Sequence, residues 1–352
     1  VQGGTSLSVP INTHANASVK TRSIHRLTLS LLRDLSADNF TSGAALAAQY
    51  GVSRSAVSDA LNDASLLGVT IFSLTRRGYR LAAPLDFLSL DEIRAGLRAD
   101  VNRVNLSIVD TIDSTNTALL QQAQLGAPSG TCLAAECQTA GRGRRGRVWQ
   151  SALGASLTFS FLWRSEKGAA ALGGLSLVVG LAVANALREL GVPATLKWPN
   201  DILVNHQKLG GILIETQGDM LGPTAVVIGI GLNVRLNDAM KTAIDQEVTD
   251  ITTVLSEAGQ AKYMMSRNAL LGAVLRHLVG QLAPFTETGF AAMRDKWRAL
   301  HAFEGRSVDI NTGSEKYAAT VVDVANDGSL IIDRGGKKIQ ISAAEISIRL
   351  TK

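Results

Sequence analysis

The sequence predicts an α+β chain of several domains: a helix-turn-helix unit with a β wing, a larger mixed α/β domain, and a small all-β domain. Three observations predict it. At 352 residues the chain is too long for one ordinary core. Its 46% hydrophobic and 18% charged residues allow most of it to fold. The apolar pattern also changes along the chain, from helical spacing to mixed strand and helix signals and then to short alternating runs. The expected boundaries are 1–21 for a disordered tail, 22–83 for the first unit, 84–302 for the second and 303–352 for the third.

The opening residues, VQGGTSLSVPINTHANASVK, are polar, hold no secretory signal and read as a disordered tail. IHRLTLSLLRDL then places Leu27, Leu31, Leu32 and Leu35 at helical spacing. In TSGAALAAQYGVSRSAVSDALNDASLLGV a short helix opens near Ser42, breaks at Gly51, and is followed by a second helix capped by Ser53. Helix, tight turn, helix is the helix-turn-helix pattern, with Leu46, Val52, Val57 and Leu61 packing the pair. VTIFSLTRRGYRLAA alternates and turns at Arg77-Gly78, which makes a wing.

Seven Arg or Lys against four Asp make residues 22–83 basic. Candidate DNA contacts are Ser53, Arg54, Ser55 and Ser58 on the second helix, with Arg76 and Arg77, joined by Arg80, on the wing. Asp59 and Asp63, one turn apart on that helix, oppose phosphate binding. A helical protein-interaction domain is the alternative reading of this region.

Residues 84–97, PLDFLSLDEIRAGL, read as a connector with a short helix. From Val104 to about Leu300, strands are expected at VNLSIVD, TCLAAECQ, SLTFSFLW and AVVIGIGLNV, with a helix from STNTALLQQAQ. DILVNHQKLGGILIE reads as a hairpin turning at Asn205-His206, and helices dominate from Ile251. Gly168 to Leu187 carries no charge and is long enough to span a bilayer. Its four glycines, Ser176 and Asn185 favour a helix buried in a core instead. The last fifty residues, with RSVDINTG, YAATVVDV, GSLIIDR and KKIQIS, predict a small β-barrel or sandwich with hairpins at Asn326-Asp327-Gly328 and Arg334-Gly335-Gly336. Cys132 and Cys137 point to opposite faces of one strand and cannot bridge, so both are expected to be free, packed thiols, as suits a reducing cytoplasm.

GRGRRGRVWQS, Gly141 to Ser151, contains G-x-G-x-x-G. A dinucleotide turn would need a helix after Gly146, and the chain leads into another strand instead, so that reading fails. What remains is a flexible loop whose Arg142, Arg144, Arg145 and Arg147 can pair with carboxylate or phosphate. A second cluster, KWPNDILVNHQKLGGILIE, sets Lys197, Asn200 and Asp201 around Trp-Pro and places Lys208 on a strand. Those residue types suit magnesium, phosphate or an attacking amine. A third, DTIDSTNTALL, places Ser114, Thr115 and Asn116 where a strand meets a helix, facing a ligand, capping the helix, or both.

DSTN, GRGRRGRVW, KWPND…KLGGILIE and GIGLNV occur in this order, and the ordered set resembles the biotin protein ligases. With the helix-turn-helix, the wing and the closing EISIR, the chain resembles the bifunctional group that is both ligase and biotin operon repressor, from about residue 22 to the end. The resemblance implies a winged helix-turn-helix, a biotin ligase catalytic domain and an SH3-like C-terminal barrel. It implies biotin, ATP and Mg2+ as ligands, the last near Asp201. The product of the first step is biotinyl-5'-AMP, and the acceptor is a lysine of the biotin carboxyl carrier protein of acetyl-CoA carboxylase. Further implied are a homodimer when biotinyl-AMP is bound, binding to operator DNA of biotin genes, and a cytoplasmic location.

By the same resemblance Lys208, Arg142, Asn200 and Asp201 carry the chemistry. Ser114, Thr115, Asn116, Gln138, Gly141, Arg142, Arg144 and Lys208 would hold biotin, with Ser114, Thr115, Gln138 and Arg144 around the ureido ring. Arg142, Arg145, Arg147, Trp149, Asn200, Asn233, Glu345 and Arg349 would hold ATP and the adenylate. The loop would act as a lid over the labile adenylate. Val148 stands where the family often has lysine, Gly210 where it has alanine, and no tryptophan follows GIGLNV to lie on adenine. Three rivals stay open: a ligase with a silent DNA domain, a sensing repressor without catalysis, and a lipoate or octanoate ligase. The uncharged donors Ser114, Thr115 and Gln138 speak against the last.

Overall fold

A computed structural model describes residues 26–260, 265–312, 315–342 and 347–351. The tail expected at 1–21 and the site residue Glu345 lie outside the described residues.

In the first unit α1 (Arg26–Asp34), α2 (Gly43–Tyr50) and α3 (Arg54–Asn62) close around the buried Leu31, Leu32, Leu46 and Val57. Ser42 and Ser53 are the N-caps of α2 and α3, accepting from the Ala44 and Ala56 amides. β1 (Ile71–Leu74) and β2 (Gly78–Leu81) form the wing. Asp63 departs from expectation. It begins a 3-10 turn, Asp63–Leu67, beyond the end of α3.

The segment read as a connector with a short helix does carry one. Its helix α4 (Leu90–Leu97) packs on α9 (described below), where Gly96 and Gly272 meet backbone to backbone. The chain continues through β3 (Asn105–Ile112), α5 (Thr115–Gln124), β4 (Thr131–Gln138), β5 (Ser156–Ser165) and α6 (Leu175–Glu189). It goes on through β6 (Thr195–Lys197), β7 (Asp201–Val204), β8 (Gln207–Gly218) and β9 (Thr224–Asn233). The helices α7 (Asp238–Ala243), α8 (Ile251–Glu257), α9 (Arg267–Thr288) and α10 (Arg294–Arg298) close the domain. Among the described residues its strands form one mixed sheet in the order β3-β4-β5-β9-β8-β7-β6. Only the β3–β4 pair is parallel. The apolar segment read as a core helix is α6, buried on most sides from Leu175 to Leu187. Among the described residues no helix is long and apolar enough to cross a membrane. The β7–β8 hairpin turns at Asn205 and His206, both with positive φ, 48° and 63°.

The last unit is an antiparallel sheet of β10 (Ser307–Asn311), β11 (Lys316–Val324), β12 (Leu330–Arg334), β13 (Lys337–Ile341) and β14 (Ser347–Leu350), ordered β13-β12-β11-β10-β14. Its inner face shares one apolar core with the second domain, and Trp198 Nε1 donates to the Gly328 carbonyl across the junction (2.9 Å).

Both cysteines are free and buried, and they serve different cores. Cys132 lies in the main core; Cys137, with Leu153, completes the core of the winged unit. Arg33 on α1 adds a two-pronged pair to Asp110 on β3 (2.6 and 3.2 Å).

A buried ion pair fixes this joint from inside. Arg267 and Glu136 are both fully buried and pair at 2.7 Å. Arg267 also donates to the Asp86 carbonyl and to the Ser156 carbonyl on β5. The other Glu136 oxygen accepts from the Leu88 amide (2.6 Å). Asn268 accepts from the Ser89 amide and donates to the Phe87 carbonyl. Connector, β4, β5 and α9 are thus held at one point. Because removing one partner strands a buried charge, Glu136→Gln is expected to cost about 3–5 kcal/mol. Urea unfolding measures this. Pairing Glu136→Leu with Arg267→Met should recover part of the loss, and a harmless Glu136→Gln would show that the pair does not hold the joint.

Candidate functional site

One cavity lies across the sheet from the β4 end to the β7 end, roughly 19 Å over four strand spacings. Its β4 end is polar and uncharged. Ser114 caps α5 by accepting from the Thr117 amide, so that Thr115 and Asn116 begin the helix at the cavity wall. The Thr115 amide and hydroxyl both donate to Gln138 Oε1 (2.8 and 3.0 Å). The Thr115 hydroxyl is also 2.7 Å from Ser160 Oγ, and Ser160 donates to Asn116 Oδ1 (2.5 Å). All but Gln138 are buried. A side chain at Gly229 would put its Cβ 2.2 Å from Asn116 Oδ1, and one at Gly231 would put it 2.5 Å from the Trp149 ring. The glycines of GIGLNV are therefore the flat floor on which Asn116 and Trp149 rest.

The β7 end is charged. Asp201 Oδ1 pairs with Lys208 at 2.8 Å and Oδ2 with Lys197 at 3.4 Å, and all three side chains are largely buried. Burial alone would raise the Asp201 carboxyl. The ammonium groups of Lys208 and then Lys197 outweigh it and hold the carboxyl below its ordinary value. Burial lowers Lys197, partly opposed by Asp201. Seven basic side chains line the cavity (Arg142, Arg144, Arg145, Arg147, Lys197, Lys208 and Arg349) against one carboxylate, Asp201, among the described residues. That excess of positive charge calls for an anionic ligand.

The backbone of the arginine loop bonds to itself. Trp149 N–H donates to the Gly141 carbonyl (2.9 Å), Arg142 and Val148 bridge, and Gly143 N–H donates to the Arg147 carbonyl (2.7 Å). It is a small hairpin with Arg144–Gly146 at its tip. The Trp149 ring forms part of the wall, and its Nε1–H is buried without a partner among the described residues, a donor left for a ligand.

The candidate residues Ser114, Thr115, Asn116, Gln138, Arg142, Arg144, Arg145, Arg147, Trp149, Asn200, Asp201, Lys208, Asn233 and Arg349 all line this cavity. Several stand differently from expectation. Gly141 shapes the loop and is not part of the wall. The Arg144 guanidinium donates to Asn200 Oδ1 (3.0 Å), four strands from Gln138. Asn233, expected at the nucleotide, donates its amide to the Lys208 and Thr249 carbonyls. It fastens the strand of Lys208 to the segment before α8, whose Ile244, Gln246 and Val248 form wall where no tryptophan was found. Sequence reasoning missed Ser160 and Glu215. The Arg142 guanidinium and the Asn116 amide both donate to Glu215 Oε2 (2.7 and 2.8 Å). On the winged unit Ser53, Arg54, Ser55, Arg76 and Arg77 are exposed and Ser58 is half-buried. Arg77 and Arg80 lie over Phe40.

The residues fit magnesium only as a passenger on phosphate. Among the described residues no cluster of three or more metal-ligating side chains exists, and Asp201 is the sole carboxylate of the wall. Magnesium is commonly held by one or two carboxylates plus substrate phosphates.

The biotin/lipoate A/B protein ligase family matches residues 108–233, and an HTH domain matches residues 28–80. The bifunctional ligase/repressor BirA of Escherichia coli is 34% identical over 323 residues, 91% of this chain and 97% of that one. The biotin–[acetyl-CoA-carboxylase] ligase of Mycobacterium tuberculosis is 34% identical over 274 residues, 76% of this chain and 97% of its own. Among solved structures, the biotin protein ligase from Aquifex aeolicus in complex with biotin and ATP superposes with a TM-score of 0.60 at 29% identity, covering 70% of this chain and 99% of that one.

The Asp201 arrangement makes a pH-dependent prediction. A carboxyl with a lowered folded pKa contributes stability above its unfolded value of about 4 and loses it as pH falls through the folded value. Asp201→Asn should therefore cost on the order of 3 kcal/mol at pH 7. The deficit against the unsubstituted protein should begin to shrink below about pH 4, where the unfolded carboxyl takes up its proton, and close as pH falls through the lower folded value. Urea unfolding at pH 7 and pH 3 checks this, and a deficit independent of pH would exclude the pairing as its cause.

Proposed function

This chain belongs to the biotin/lipoate A/B protein ligase family, and from that premise we infer that it is an ATP-dependent biotin protein ligase that also represses transcription. The observation that carries the reading is the single cavity joining an uncharged polar end at Thr115 and Gln138 to a cationic end at Lys208, Lys197 and Arg144. A neutral urea suits the first end, and a carboxylate meeting a triphosphate suits the second.

In the first step a carboxylate oxygen of biotin bonds to the α-phosphorus of ATP and pyrophosphate leaves, giving biotinyl-5'-AMP. Two anions must approach each other, and the barrier falls as fixed positive charge gathers around them. Lys208, paired to Asp201 and clamped through its backbone by Asn233, is the cation with the most closely defined position. Arg142, Arg144, Arg145 and Arg147 reach over from the loop, and Arg349 from the terminal sheet. Asp201 is the residue that would hold magnesium brought with the triphosphate, and the metal would supply further screening of the phosphate charge. In the second step a lysine amine of the acceptor bonds to the acyl carbon, AMP leaves and the amine gives up a proton. On this reading Asn200 and Asp201, on the cavity wall, meet that amine. The acceptor is the biotin carboxyl carrier protein of acetyl-CoA carboxylase.

For the regulatory half, α3 presents Arg54 and Ser55 at its exposed N-terminal end. Asp59 follows Arg54 by five residues, roughly 7.5 Å along the helix, and Asp63 lies past its end, so the acidic groups sit away from the end that enters a groove. Repression follows adenylate binding: the loaded protein pairs through its catalytic sheets and occupies a palindromic operator. The protein works in the cytoplasm.

ATP–pyrophosphate exchange in the presence of Mg2+ tests the enzyme. Biotin should support exchange while lipoate and octanoate should not, and Lys208→Ala should lower the rate about 10²–10³-fold, as for loss of one charge-stabilising donor. Exchange with lipoate instead would overturn the assignment of the polar end. For the repressor, operator affinity should rise on adding biotin and ATP. Arg76→Ala on the wing should weaken binding across sequences and reduce the salt slope by about one. An affinity indifferent to both ligands would end the regulatory reading.

A further inference from the structure

The arginine loop and the uncharged end of the cavity are joined by one unbroken run of polar contacts. From the loop, Arg142 Nη2 donates to Glu215 Oε2 at 2.7 Å. The same oxygen accepts from Asn116 Nδ2 at 2.8 Å. Asn116 Oδ1 then accepts from Ser160, Ser160 meets Thr115, and Thr115 donates to Gln138. Asn116, Ser160 and Thr115 are buried. Glu215 is not itself part of the cavity wall, but its carboxylate meets two residues that are, Arg142 and Asn116.

We propose that Glu215 is a positioning residue that anchors the arginine loop over the cavity. Its partly buried carboxylate receives both a loop arginine and the start of α5. The anchor end is rigid: Asn116 is held on three sides, by Glu215, by Ser160 and by the Leu213 carbonyl (3.3 Å). The loop end is loose, since the Arg142 side chain is 44% exposed. A fixed carboxylate holding a half-exposed arginine sets where the loop rests before a ligand arrives. It also keeps the guanidinium at the mouth of the cavity, ready to exchange one carboxylate for another. This inference rests on the ligase reading for its kinetic consequence, though not for its structural one.

Glu215→Gln separates the two roles, because the amide oxygen still accepts from Asn116 while the ion pair is gone. Half-exposed pairs contribute modestly, so the expected changes are about fivefold. In the ligand-free protein, trypsin should cut within residues 141–147 about fivefold faster in the variant, and saturating biotin with ATP should remove most of that difference. In pyrophosphate exchange the KM for biotin should rise about fivefold with a smaller change in kcat, the pattern of lost ground-state binding. Unchanged loop cleavage would overturn the proposal, as would a fall in kcat at constant KM, which would move Glu215 into the chemistry. The cleavage arm needs no activity. An unsubstituted protein without biotin-dependent exchange would therefore sink the ligase reading while leaving the anchor to be judged on its own.

Discussion

The interaction on which the rest of this structure depends is the fully buried pair of Glu136 and Arg267. Two charges without solvent are tolerable only when nearly every lone pair and N–H finds a partner. Here the partners come from four separate stretches of chain: the connector at Asp86 and Leu88, β4, β5 and the start of α9. Satisfying the charges therefore fixes the relative placement of those four. Gln138, two residues along β4 from Glu136, and Thr158, two along β5 from Ser156, inherit their positions at the cavity from that arrangement. So does the winged unit, because the connector has no freedom left at its domain end.

The cavity divides its labour along the sheet. Strand spacing acts as a ruler that separates recognition of a neutral group at β4 from handling of charge at β7 and β8. At the neutral end, each buried hydroxyl and amide is satisfied by its neighbours, which makes the surface presented to a ligand specific in shape and hydrogen bonding. At the charged end Asp201 keeps two lysines tolerable at close range until an anion arrives. The loop bridges the two, and its glycines matter as much as its arginines: Gly141 alone lets the strand of Trp149 pass near enough to close the hairpin.

Much of this was legible because local chemistry and global fold agree. The caps Ser42, Ser53 and Ser114, the Asn205-His206 turn and the apolar α6 are statements a short window can make. Most of the residues named from the motifs meet in one cavity, since the motifs sit at strand ends on one side of a sheet. What escaped has identifiable physical causes. Glu136 and Arg267 are 131 residues apart, and nothing local announces a buried pair. Asp63 looked helical, but α3 gives way to a 3-10 turn there. Glu215 was hidden by a bulge. Between the pairs Ile202–Gly210 and Leu203–Lys208, β8 carries one extra residue, Leu209, which reverses the alternation. Counting by twos from Lys208 reaches Ile212 and Ile214. The side of the sheet that Lys208 shares is taken instead by Gly211, Leu213 and Glu215.

The sharing of Cys137 and Leu153 between domains has a consequence for how such proteins can change over time. The winged unit is not a module clipped to the outside of an enzyme; two side chains of the enzyme are the last pieces of its interior. Leu153 lies four residues beyond Trp149, and its amide donates to the Leu67 carbonyl of the winged unit. A lineage that discarded the winged unit would leave an oily scar beside its own substrate loop and would have to repaint it with polar residues to stay soluble. One that acquired such a unit would need the reverse. Gain or loss of regulation in this architecture is therefore a coordinated rewriting of a seam.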